Sequence, residues 1–385
     1  MPRKRTLVVG AGIAGAATAW FLARSGRREV WILEQEDLPD RHSTGRNAAI
    51  LRTAISDPAL HEIARLSAAW LAAPPQGFAD GPLIRRTGLI LAATEEAAAS
   101  FRVWTRDPRC IRGGEAVDPA WIVERLPCFH DAGLAEAVFL AEEGVLDVHA
   151  IHQGFLAGAR RAGARLLLRT RATRLLLGAA GVEGVEAGGE FLPASEVVLA
   201  AGGWGDRLAR AAGLPLPLQP RRRHLLVTAP APGIPAGAPV LWVAGREFYC
   251  RPESGGLLVC ACDADPVQPE TGEATREEAL LRIAEVVEEW LPGLAQAGAG
   301  SFWAGMRTFA PDGRFVLGAD PRARGLYWAA GLGGHGITCS AELGRRVAAE
   351  ILGEGQAGEA FRPARLLTPQ QAPQKRLATP DTATS

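Results

Sequence analysis

Chemistry is first visible at the amino terminus, in Gly10-Ala11-Gly12-Ile13-Ala14-Gly15. This G-x-G-x-x-G follows an apolar run that reads as a strand and opens a run that reads as a helix. Gly10 permits a tight turn, Gly12 lets the backbone approach a pyrophosphate, and Gly15 lets helix and strand pack closely, with the helix N-terminus facing the anion. Glu34 follows Gly15 by 19 positions and ends the next strand, where its carboxylate accepts hydrogen bonds from both ribose hydroxyls and would repel a 2'-phosphate. The pattern predicts a dinucleotide site and disfavours NADP. It leaves NAD and FAD both open.

Other chemistry is thin. Six cysteines are scattered from Cys110 to Cys339 with no CxxC pair, so they read as reduced thiols. Cys260 and Cys262 share one strand face and are too few for zinc; His149 and His152, one helical turn apart without a third ligand, read as structural. No metal site is expected.

The elements that must hold the fingerprint recur along the chain. Thr6 to Val9 reads as a strand, Ile13 to Ser25 as a helix stopped by Gly26, and Glu29 to Leu33 as a second strand. A second region runs from a helix N-capped by Asp147, through strands Arg165 to Leu168 and Glu196 to Leu199, to Ala200-Ala201-Gly202-Gly203-Trp204-Gly205-Asp206. A third has a strand Gly325 to Ala330, a glycine loop Gly331 to Gly336 and a helix from about Cys339 to Leu352. The expected fold is α/β: a discontinuous Rossmann-like nucleotide domain from 1–75, 145–215 and 305–368. A mixed, largely antiparallel sheet domain from 76–144 and 216–304 is inserted into it for the substrate. Residues 369–385 have almost no hydrophobic content and read as a disordered tail.

Composition excludes several function classes. The 385 residues carry 42 Lys+Arg against 42 Asp+Glu, so no net field draws nucleic acid or anionic lipid. At 48% hydrophobic and 22% charged the chain is neither disordered nor disulfide-dense. The uncharged run Thr6 to Ala23 is too rich in glycine and alanine for a membrane span. The expectation is a cytoplasmic protein, with peripheral association at the inner membrane face as the variant, and without a transmembrane segment.

Taken together, the fingerprint, His42-Ser43-Thr44-Gly45-Arg46-Asn47-Ala48-Ala49, the Ala200 to Asp206 run and Gly333-Gly334-His335-Gly336-Ile337 resemble the FAD-dependent D-amino-acid oxidase superfamily, which includes glycine oxidase, sarcosine oxidase and D-amino-acid dehydrogenases. The D-arginine dehydrogenases share the run His42 to Arg46, Leu218-Gln219-Pro220, the Phe248-Tyr249 pair and Trp303-Ala304-Gly305. The resemblance spans about residues 5 to 368. It implies non-covalent FAD, with Ala11 to Ala14 at the pyrophosphate and Glu34, flanked by Gln35, at the adenosine ribose. Ser43, Thr44 and Arg46 lie along the pyrophosphate and ribityl chain, and Ala172 offers backbone to the adenine. Ala48, Ala201, Gly202 and Trp204 are further contacts. Gly331, Gly333, Gly334, His335, Gly336, Ile337 and Thr338 lie beside the flavin ring, where the N-terminus of the following helix favours negative charge on the reduced flavin.

At the substrate end the resemblance implies Arg307 and Tyr249 as carboxylate holders, with Arg222, behind Leu218-Gln219-Pro220, reaching the pocket. His42 or His335 would accept the ammonium proton. Leu51, Leu89, Val240, Trp242, Gly334 and Thr338 would line the side-chain pocket, and Pro82 to Leu91, the matching segment, carries two arginines and no carboxylate. A neutral or hydrophobic D-amino acid therefore fits better than D-arginine. The implied reaction is hydride transfer from Cα to flavin N5, giving a 2-oxo acid and ammonia. Oxidation of an N-methyl or secondary amine or of a 2-hydroxy acid, and a non-catalytic flavoprotein subunit, are the competitors. Only Lys4 and Lys375 are lysines. Sarcosine-oxidase-like relatives use a lysine beside the flavin to react with oxygen, so a dehydrogenase passing electrons to a quinone or another carrier is favoured over an oxidase using O2.

Overall fold

The computed structural model describes residues 3–368, so the expected tail at 369–385 lies outside the described residues. The fingerprint strand Lys4–Val9 is central in a six-stranded sheet, in the order Val316–Ala319, Leu326–Ala330, Glu196–Leu199, Lys4–Val9, Arg28–Leu33, Arg165–Leu167. All neighbours are parallel except the edge pair Val316–Ala319 and Leu326–Ala330. Being buried on both faces, these strands read as continuous apolar runs; Glu196–Leu199 and the last four residues of Lys4–Val9 are buried throughout.

From Lys4–Val9 the chain crosses to Arg28–Leu33 on one side, while Glu196–Leu199 pairs on the other. This reversal opens a crevice at the carboxyl ends of the central strands, where open α/β sheets take ligands. The helix Ile13–Arg24 starts in that crevice and is buried along most of its length, with Trp20 among Phe78, Trp70 and Phe155. Val148–Arg161 and Ser340–Leu352 pack on it; the Asp147 side chain accepts from the Ala150 N–H, capping the former as its sequence predicts.

The second layer is an eight-stranded sheet, ordered Ala299–Phe309, Gln219–Thr228, Gly256–Cys260, Phe248–Glu253, Val240–Ala244, Leu89–Thr94, Leu134–Leu140, Gly114–Ala116. It is antiparallel apart from Leu89–Thr94 with Val240–Ala244. The boundary expected between 304 and 305 falls inside a strand: Ala299–Phe309 pairs along its length with Gln219–Thr228, since cutting it would leave backbone groups unpaired. No helix of the described residues is long and apolar enough to cross a membrane. No group of three or more His, Cys, Asp or Glu among them could hold a metal ion.

Candidate active site

Gly10 adopts φ +102, and a Cβ there would meet the Ala200 carbonyl oxygen at 2.5 Å; a Cβ on Gly15 would lie 1.9 Å from the Gly10 carbonyl oxygen. Turn, helix and neighbouring strand therefore approach as the spacing predicts. The Glu34 carboxylate accepts from the Ala11 N–H at 2.9 Å and the Glu36 N–H at 3.0 Å. Burial outweighs those bonds and raises its pKa. His152 holds the turn from behind, its Nε2 2.8 Å from the Ala11 carbonyl oxygen, so it positions the loop without touching a ligand. No side chain caps the helix at Gly12 and its first turn carries no acid, while Thr44 Oγ1 accepts from the Ile13 N–H.

These groups line a cavity of about 440 Å³. Gly10, Gly12, Ile13 and Ala14 form its floor, and Glu34, Gln35, Ser43, Thr44, Ala172, Ala201, Gly202, Trp204, Gly331 and Gly333 contribute to its walls. Buried Ala11 and Gly15 support it from inside. The close backbone at Gly10 and Gly12, a helix N-terminus with no acid in its first turn and a carboxylate on the second strand fit the pyrophosphate and adenosine ribose of FAD. Thr170, Arg171 and Arg207, which the sequence reading missed, also line it.

A second cavity, of about 240 Å³, adjoins the first. Three segments wall both. The strand Ala299–Phe309 turns Met306 and Thr308 to the larger cavity and Arg307 and Phe309 to the smaller one, by strand alternation. The loop after His42 gives Ser43 and Thr44 to the larger and Asn47, Ala48, Ala49 and Ile50 to the smaller. The glycine loop divides between Gly331 to Gly333 and Gly334, His335, Ile337 and Thr338. Tyr249 and Trp242, with ring centroids 4.6 Å apart, complete the smaller cavity with Arg52, Arg223, Glu247 and Cys262.

Arg307 is buried and donates from Nη1 to the Met306 carbonyl and from Nη2 to the Arg46 carbonyl, both at 2.9 Å. Burial lowers its pKa, and burial raises that of Tyr249 well above the ordinary phenol value. Both groups hold their protons at neutral pH and are donors. His335 is pushed down to about 3 by burial and by the Arg52 charge, so it is neutral.

Several expected residues stand elsewhere. Arg222 does not reach the smaller cavity. Strand pairing sets Arg221 opposite Arg307 and Arg223 opposite Gly305, so Arg222 points to the other face, donating to the Thr271 and Gly272 carbonyls. His42 lines the larger cavity and not the smaller one, between Glu36 and Glu273, at 3.0 and 2.9 Å, against Trp204. Burial alone would lower its pKa, but the two carboxylates raise it. Leu51, Leu89 and Val240 line neither cavity; they are buried in hydrophobic clusters because their strands turn these side chains into the core. Arg46 is turned to the Arg41 and Ala304 carbonyls and to Glu273, not to the larger cavity. Ala48 lines the smaller cavity instead, its carbonyl accepting from Arg251 Nε. Gly336 lines neither and packs on Leu332. The helix Ser340–Leu352 does not present a bare N-terminus, since the Ala341 N–H donates to Ser67 Oγ.

Sequence reasoning missed Arg52, Arg223 and Glu247. Arg223 is adjacent to the arginine chosen, and only the long-range pairing with Ala299–Phe309 decides which of the two faces the cavity. Arg52 closely follows the His42 to Ala49 motif with no local signal of its own.

Comparison with known proteins agrees with this geometry. Residues 5–350 match the DAO family model, "FAD dependent oxidoreductase". The chain is 26% identical over 363 residues to 4-methylaminobutanoate oxidase (formaldehyde-forming) of Paenarthrobacter nicotinovorans, covering 90% of this chain and 43% of that protein. It is 28% identical to glycine oxidase of Geobacillus kaustophilus, covering 89% of this chain and 91% of that one. It thus spans less than half of the first relative and nearly all of the second. The crystal structure of L-proline dehydrogenase from P. horikoshii superposes with a TM-score of 0.83 at 21% identity, over 95% of this chain and 98% of that chain, and shows the same fold. The larger cavity is the candidate FAD site, and the chain belongs to the DAO family of FAD-dependent oxidoreductases.

Proposed function

We propose that this protein oxidises the Cα–N bond of an amino acid held by its carboxylate in the smaller cavity. The observation that carries this reading is the strand Ala299–Phe309, whose alternation sets Arg307 one residue from side chains lining the FAD cleft. A carboxylate on Arg307 and Tyr249 would meet a fork and a phenol donor. FAD, when bound, supplies the two-electron acceptor. The substrate loses two electrons and two protons to become an imino acid, which water converts to a 2-oxo acid and ammonia.

The residues around the amine are cationic or neutral. Arg52, Arg223 and Arg307 disfavour an ammonium beside them, and His335, near 3, is too weak a base to remove its proton. The amine therefore enters the reaction neutral, its proton passing to solvent. The resemblance of the His42 to Arg46 run to the D-arginine dehydrogenases favours the D series. A secondary amine is the second reading, because 4-methylaminobutanoate oxidase is among the relatives.

For the electron acceptor the reading is a dehydrogenase. No lysine lines either cavity, and neutral His335 supplies no charge to stabilise superoxide. The test is an anaerobic screen of D- and L-amino acids, N-methyl amino acids and 2-hydroxy acids, followed by flavin absorbance. Bleaching by amino acids with release of 2-oxo acid and ammonia supports the reading; bleaching by hydroxy acids alone, or by nothing, overturns it.

A further inference from the structure

Arg52, Arg223 and Arg307 line one cavity of about 240 Å³, and among the described residues none of them forms an ion pair with a carboxylate. Arg307 bonds only to carbonyl oxygens. Arg52 donates from Nε to the Ala54 carbonyl at 3.0 Å and lies over the Trp242 ring, 4.2 Å from its centroid. Among the described residues the Arg223 side chain meets charge and burial but no hydrogen-bond partner.

The carboxylates in reach do not balance them. Glu247 lines the cavity but is exposed to water. Glu143 is buried behind Arg52 and is occupied by the Thr53 N–H and hydroxyl. Asp263, whose field reaches Arg223, is taken by His224, which approaches it at 2.7 Å through Nδ1 and at 2.8 Å through its backbone N–H. Like charges gathered in a half-buried cavity repel, and none of the three faces a carboxylate that neutralises it. One α-carboxylate satisfies one guanidinium. The others still call for negative charge.

We propose that the smaller cavity is built for a substrate with two carboxylates, an acidic amino acid or an N-carboxyalkyl amine, whose second carboxylate is held by Arg223 with Arg52 beside it. The first carboxylate rests on the assignment to Arg307 made above. Arg223 is the specificity-determining residue, and the neutral or hydrophobic side chain expected from Leu51, Leu89 and Val240 is replaced, because those residues lie in the core.

The test uses binding, so that it does not depend on turnover. The FAD-loaded protein is titrated with succinate and glutarate, and with butyrate and valerate of matching chain length, following perturbation of the flavin spectrum. The expected result is a Kd about 10- to 100-fold lower for the dicarboxylates, the range of a charge-assisted hydrogen-bond pair. Arg223→Gln removes that preference, bringing the dicarboxylate Kd up to that of the monocarboxylates. Equal affinity for the two classes in the unaltered protein overturns the proposal whether or not the variant folds. A dicarboxylate preference unchanged by Arg223→Gln overturns the assignment to Arg223. If no amine reduces the flavin but the preference is present, the oxidation reading fails and the two-anion site stands. If neutral amino acids reduce the flavin and the preference is absent, the reverse holds.

Discussion

Replacing Arg307 with alanine tests the centre of the proposed function. The side chain is 8% exposed and its two carbonyl bonds, each 2.9 Å, hold its guanidinium plane fixed before substrate arrives. A prearranged fork loses little entropy on binding, so most of its interaction with a carboxylate counts. One charge-assisted hydrogen bond contributes about 1.5–3 kcal/mol, and part of a second is recovered by Tyr249, which remains. The net loss in kcat/KM is about 2–4 kcal/mol, or roughly 30- to 1,000-fold. The Arg46 carbonyl also loses its donor, so the loop carrying Ser43 and Thr44 loosens and FAD binds somewhat more weakly. Rapid-reaction measurement of flavin reduction in air-free buffer, on protein whose FAD content is first fixed from its absorbance ratio, separates the two effects. Arg307→Lys should recover only part of the loss, because a point charge cannot reproduce the fork. An alanine variant that is fully loaded with FAD and reduced with near-normal kcat/KM would refute the reasoning.

Gly15→Ala forces a methyl to within 1.9 Å of a backbone oxygen; such overpacking costs about 1–3 kcal/mol or more, and the variant should purify colourless with a Tm several degrees lower. Gly12→Ala meets only the Thr44 hydroxyl at 3.1 Å, so it should stay folded and lose FAD affinity instead, measured by flavin fluorescence. The raised pKa of His42 makes its bonds to Glu36 and Glu273 a stabilising contribution fully present below the ordinary value of 6.5 and lost as pH rises through the folded-state value. The Tm gap between the unaltered protein and His42→Asn should therefore be widest in mildly acidic buffer and narrow above it; a gap that widens with pH would contradict the assignment. Acid precipitation should release FAD to the supernatant, since no cysteine stands between Ala304 and Met306, and Cys339, the one cysteine near the glycine loop, is fully buried. Reduced protein mixed with air-saturated buffer should reoxidise more slowly than it turns over, and fast reoxidation with stoichiometric hydrogen peroxide would make it an oxidase.

The FAD site was legible in the sequence because it is built from local geometry. Strand, turn, helix N-terminus and the acid ending the next strand occupy about 30 consecutive positions, and the steric demands at Gly10 and Gly15 follow from backbone contacts within that unit and with the adjacent strand. The three separated strand-glycine-helix segments likewise announced one discontinuous sheet, since each holds a short apolar run before its glycines. The substrate pocket was not legible in this way. Its residues come from the His42 loop, from two antiparallel strand pairs of the second sheet and from the glycine loop, and a one-residue change of register exchanges Arg222 for Arg223 in the cavity. Leu51, Leu89 and Val240 looked like pocket residues by position, but burial in the core is as good a reason for an apolar residue as contact with a ligand, and only packing distinguishes them. The sequence by itself determined a dinucleotide site, whose recognition is written in backbone turns and a single carboxylate, and the resemblance of its later motifs pointed to FAD. The tertiary structure alone decided the charge of the pocket, because which arginines converge without carboxylate partners depends on strand pairing between segments more than 80 residues apart.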